Sequence, residues 1–226
     1  MSRYAPVVIA LCVVAALLGV RAHRATATGE PHVTPQIRAA TLSFAPDVAT
    51  GDRAWVLGAI ATARPEAQRL IAEIDGMVEV KTDLNAPGSA YPAGSEQAIG
   101  LAEMVGGRAV VAFDVRELDG ERAIDRNMVV LHELGHVVDW VLADDALVAK
   151  LDAGIPPAGQ CTSASDGIGA CTAIAERFAD TFAKWALRGR FSLAGSGYGI
   201  PTPPSLEDWG MPLGRLAAEV DAAARG

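Results

Sequence analysis

His132, Glu133 and His136 occur in the order His-Glu-Leu-Gly-His. On a helix, side chains four residues apart project from one face about one turn apart, so both imidazoles can reach a single ion while Glu133 stands beside them. This is the spacing of a zinc site in which two neutral imidazoles bind the metal and the carboxylate serves as a base. Apolar Val129 to Leu131 and Val137-Val138 bracket the motif, which argues against a merely solvated polar turn. A hydrolytic zinc ion takes three protein ligands and leaves its fourth position to water, so one ligand lies outside the motif. The other two histidines, His23 and His32, fall in the N-terminal stretch, and a carboxylate is favoured. Glu176, on a second helical segment, is the leading candidate. Asp139 is the rival, but it follows the motif on the same helix and would have to bend back to the metal.

The motif, taken with the spacing Glu-x-x-x-Asp at Glu176 and Asp180, resembles the gluzincin branch of the zincin metallopeptidases. The run from Glu176 to Ala183 is also similar to the third-ligand helix of short bacterial gluzincin-like peptidases, and the resemblance covers roughly residues 98–187. It implies Zn2+ held by His132, His136 and Glu176, with Asp180 accepting the outer N–H of a ligand histidine, His132 being the expected one. It implies an α+β fold in which a small mixed or antiparallel sheet packs on the motif helix and a second, ligand-bearing helix. It further implies that a strand before the motif helix forms the sheet edge along which an extended peptide lies, a role expected of Arg108 to Val115. The metzincin continuation would need glycine at position 139 and histidine at position 142. The chain has Asp139 and Leu142, so that branch is excluded.

The implied activity is hydrolysis of a peptide or protein substrate, with Glu133 as the general base that activates water and passes its proton to the departing amine. A donor opposite the metal is also needed. Tyr198, in a Gly-rich segment after the ligand helix, is the expected one and ranks ahead of Tyr91. Two alternatives share the motif: a non-catalytic extracellular binding module with a structural zinc, and a zinc hydrolase of a non-peptide amide. A structural site closes its fourth position with another Cys or His and has no use for a base, and no such fourth ligand is visible.

The elements that must position these groups follow from periodicity. Met128, Leu131, Gly135, Val138 and Leu142 recur at spacings of three and four, and Asp125 is a suitable N-cap, predicting a helix over 125–143 with one buried face. Ile174, Phe178, Phe182 and Trp185 predict a second helix over 173–187, and Leu213 to Ala224 a terminal one. Helical segments flank Pro65, and Met77 to Val80 reads as a short strand. Strands over 98–104 and 108–115 meet at Gly106-Gly107, a hairpin signal. Gly135 is expected to let the motif helix approach a neighbour closely, and Trp140, Trp185 and Trp209 to serve packing.

Hydrophobic residues make up 50% of the 226-residue chain and charged residues 20%, enough apolar side chain for a single sizeable core. A net charge of −8 supplies no attraction for phosphate backbones, so nucleic acid is excluded as a partner. Ala5 to Val20 carry no charge, Arg3 precedes them, and Ala25-Thr26-Ala27 offers a small-x-small cleavage site. Residues 1–27 therefore read as a signal peptide or N-terminal membrane anchor, residues 28–50 as a linker or extended arm, and residues 51–226 as the zincin-like domain. A secreted or extracytoplasmic location suits Cys161 and Cys171, which an oxidising compartment would join in a disulfide.

Overall fold

The computed structural model describes residues 42–82, 99–115, 125–158, 173–190 and 199–224, all within one compact unit over 36–226. Tyr91, Tyr198, Cys161, Cys171 and the N-terminal residues 1–41 lie outside the described residues, so the expectations placed on them are not addressed below. No helix among the described residues is long and apolar enough to cross a membrane.

Four strands, β1 (Ser43–Phe44), β2 (Val78–Lys81), β3 (Gly100–Val105) and β4 (Arg108–Phe113), form a mixed sheet in the order β1-β2-β4-β3. β1, β2 and β4 run parallel, and β3 is antiparallel to β4. The β3–β4 hairpin turns through Gly106 and Gly107 at φ 58° and 83°. A two-residue turn with both central residues at positive φ matches the twist of its strands, and glycine adopts that backbone without steric cost. β4 is buried at every residue after Arg108, as its unbroken apolar run requires of a strand with neighbours on both sides.

This topology corrects two expectations. The strand over 108–113 is interior, and among the described residues β3 and β1 are the two edges of the sheet. The second concerns where packing begins: Ser43 and Phe44 pair with Glu79 and Val80, and Leu42, Ala45 and Val48 are buried, so part of the 28–50 stretch belongs to the fold.

The described helices are α1 (Thr50–Thr62), α2 (Pro65–Ile74), α3 (Arg126–Leu142), α4 (Asp145–Ala153), α5 (Ile174–Ala186) and α6 (Leu206–Ala223). Pro65 opens α2, where its fixed φ suits a first helical residue and its missing N–H costs nothing. Asp125 caps α3 by accepting from the Met128 N–H at 3.1 Å. Ala143 ends α3, and Asp144 then caps α4 through the Leu147 N–H at 2.7 Å. α6 starts seven residues before the expected 213, because Ser205 accepts from the Asp208 N–H and the helix continues through Pro212. α3 packs on α1, α2, β3, β4 and α5, and every residue from Met128 to Val138 is buried rather than one face only. The polar motif is thereby held in the apolar centre of the molecule.

Candidate metal centre

Gly135 sets the distance between the two helices that bring the site together. A Cβ built there would stand 3.1 Å from the Ala179 Cα and 3.1 Å from Phe182 Cδ1, so α5 lies directly against the glycine of α3. The close approach expected of Gly135 is thus made to α5. Phe178 and Phe182, stacked at 6.2 Å between ring centroids, fill the buried face of α5. Arg177 anchors its first turn. The buried guanidinium donates to Asp152 Oδ1 at 2.5 Å and to the carbonyls of Asp152, Ile155 and Pro156, joining α5 to the end of α4. Lys184, one helical turn beyond Asp180, is buried and donates to the Ile200 carbonyl at 2.5 Å, which brings the returning chain onto α5.

Between these helices His132, His136 and Glu176 converge, with one ligand atom from each lying within 4.8 Å of the others. Glu176 Oε2 is 3.2 Å from His132 Nε2, and Glu176 Oε1 is 3.6 Å from His136 Nε2. Donors about 2.1 Å from a tetrahedral ion stand about 3.4 Å from one another, so this set suits a small divalent cation. Two imidazole nitrogens and a carboxylate oxygen are also a favourable donor chemistry for such an ion. Asp139, the rival third ligand, is not part of the cluster.

The electrostatics follow from burial and from the His–Glu contacts. Burial pushes the Glu176 carboxyl up, but hydrogen bonds and charge from His132 and His136 outweigh it and hold the group down at about 2. The position of Glu176 in the first turn of α5 favours its negative charge as well. Burial pulls His132 down, yet its hydrogen bond to Glu176 and the charges of Glu133, Glu176 and Asp180 leave it raised. Glu133 is raised because burial exceeds the attraction of the two imidazoles.

Glu133 is 5% exposed, and among the described residues no hydrogen bond engages its carboxyl. Its side chain lies against Gly100, the first residue of the edge strand. Trp140, expected to serve packing, is 40% exposed and stacks on the His136 ring at 5.7 Å with 21° between planes. Asp180 pairs with Lys184 at 2.5 Å, and its charge is among those that raise His132. A cation four residues away on its own helix is within reach without any tertiary arrangement.

Gly100, Trp140 and Arg177 are the residues of the site that periodicity did not single out. Arg177 carried a signal, a cation on the otherwise apolar side of an amphipathic helix, which burial makes costly unless it is paired. Comparisons with protein-family models, with curated proteins and with solved structures find no match for the chain, so the geometry of the site alone bears on its chemistry.

Proposed function

We propose that the chain is a zinc-dependent metallopeptidase of zincin-like, gluzincin type acting outside the cytoplasm. His132, His136 and Glu176 hold the metal, and Glu133 is the general base. The observation that carries this reading is the convergence of two imidazoles and a carboxylate beside Glu133, whose carboxyl no hydrogen bond engages among the described residues. Zinc held by His132, His136 and Glu176 would lower the pKa of a bound water to about 7 and would polarise a carbonyl. Glu133 takes a proton from the attacking water and returns it to the departing amine, and its buried, apolar surroundings favour both transfers. The exported location is supported by the uncharged Ala5 to Val20 run and by the Cys161 and Cys171 pair.

The open edge of β3 favours an extended peptide as substrate. Asp114 N–H donates to the Ile99 carbonyl at 3.1 Å, which makes that pair a hydrogen-bonded rung. Rungs alternate in an antiparallel ladder, so the Gly100↔Phe113, Ala102↔Val111 and Met104↔Ala109 pairs are not bonded to each other. Gly100, Ala102 and Met104 therefore turn their N–H and C=O groups away from β4, with Glu133 beside Gly100, where a substrate strand can add.

The test is purification with metal analysis followed by a peptide-library digest. One zinc per chain and cleavage of unstructured peptides are expected. Glu133→Gln should keep the zinc and lose hydrolysis by a factor of about 10² to 10⁴. Glu176→Ala should lose the metal. Zinc bound without hydrolysis of any peptide would leave a structural-zinc module or a hydrolase of a non-peptide amide instead.

A further inference from the structure

We propose that Gly100 is a positioning residue for Glu133: the absence of a side chain at the start of the edge strand makes the space in which the carboxyl lies. The inference rests on the reading of Glu133 as the general base. A Cβ on Gly100 would overlap Glu133 Oε1 and stand 2.9 Å from both Cγ and Cδ of the same side chain. Real Cβ contacts do not come that close, so the flexible end of Glu133, 5% exposed on a helix buried over the whole of Met128 to Val138, would have to shift. Gly100 is not among the glycines at positive φ, so its backbone does not call for glycine. Glycine inside a strand weakens it and often marks a close approach, and the approach here is that of the carboxyl.

Two further features make the contact consequential. Among the described residues no hydrogen bond fixes the Glu133 carboxyl, so its location is set by what it touches. Gly100 also turns its own N–H and C=O to the open edge, which places the base and the first edge rung available to a substrate at the same residue. A side chain there would displace the base from the peptide bond held along the strand, and a misplacement of about 1 Å costs on the order of 10² in rate.

Gly100→Ala in the full chain loaded with zinc tests this. Zinc stoichiometry and affinity should match the wild type, because the substitution touches none of the three ligands. Turnover should fall about 10- to 100-fold with KM little changed, and a crystal structure of the variant should show the Glu133 carboxyl displaced. Glu133→Asp withdraws the carboxyl by one methylene and restores the room, so Gly100→Ala added to Glu133→Asp should cost little beyond Glu133→Asp alone. That is a non-additive cycle. Wild-type turnover in Gly100→Ala, an unmoved carboxyl, or additive losses would overturn the inference. If Gly100→Ala does not fold, the double variant should fold and bind zinc, and its failure to do so would overturn the inference as well. A wild-type protein that binds zinc and cleaves nothing would instead refute the base assignment, while the crystallographic position of Glu133 in Gly100→Ala would still decide whether Gly100 makes its space.

Discussion

His136 lacks the support that metal-ligating imidazoles usually have. Its Nδ1 is buried, and among the described residues it has no hydrogen-bond partner, whereas a ligand histidine almost always donates its outer N–H to an acceptor that fixes the ring. The ring is held by contact, with Trp140 stacked on one side and His132 edge-on at 4.9 Å. Trp140→Ala should therefore lower zinc affinity by about 10-fold, the low end of what losing ligand support costs, while Trp140→Phe keeps most of it. Competition titration against a chelator of known affinity measures both, and an unchanged affinity in the alanine variant would show that the stack does not orient the ring. The His132–His136 pair and Glu133 were legible in the sequence because their spacing is local to one helix. The pairing of Asp180 with Lys184 is equally local, since the two lie one turn apart on the same helix. Glu176 was legible as a candidate on a second helical segment, but only the packed α3–α5 pair brings it to the histidines.

The contact between α3 and α5 separates stability from affinity. Gly135→Ala would put a methyl group 3.1 Å from the Ala179 Cα, a backbone atom that can yield only if the whole helix moves by a few tenths of an ångström. Replacing a mid-helix glycine by alanine gains about 1 kcal/mol of helix propensity, which offsets much of the strain. The melting temperature should thus change little, while zinc affinity falls on the order of tenfold because Glu176 rides on the displaced helix. Thermal melts of the metal-free variant and metal titration, made side by side, check this, and a large loss of stability with unchanged affinity would contradict it. Among the elements, strongly patterned α3 and α5 and the hairpin at Gly106-Gly107 could be read from residues alone. β1 could not, since two residues carry no periodicity and become a strand only by pairing with β2. α4 could not either: the segment offers no wide apolar stripe, and Leu151 is its one buried residue. The edge position of β3 was illegible because strand order depends on partners far apart in the chain.

At the scale of the whole molecule, the ionisable cluster links stability to pH. In the metal-free protein Glu176 is held at about 2 against an ordinary 4.5, so its contribution is present above 4.5 and is lost as pH falls toward 2. His132 is raised above its ordinary 6.5, so its contribution is full below 6.5 and is lost as pH rises through the raised value. Buried Glu133 and Asp180, also raised, become costlier to ionise in the same upward direction. The metal-free melting temperature should fall as pH drops below about 4.5, with Glu176, and fall further as pH rises above about 6.5, with His132. Zinc should reverse the upper limb, because its ligands must be deprotonated and its affinity grows with pH. At a free concentration one thousand times Kd it adds about 4 kcal/mol. Calorimetric melts with and without chelator across that range are the check, and a metal-free protein that gains stability from pH 6.5 to 8 would contradict the assignment. The Arg177 anchor carries one more implication, which concerns how the centre comes apart. Two of the proposed ligands share one helix and would stay together as it breathes, whereas the third rides on a helix whose first turn a guanidinium latches to the end of α4. Loosening that latch should therefore shorten the residence time of a bound ion through an arginine outside the ligand set.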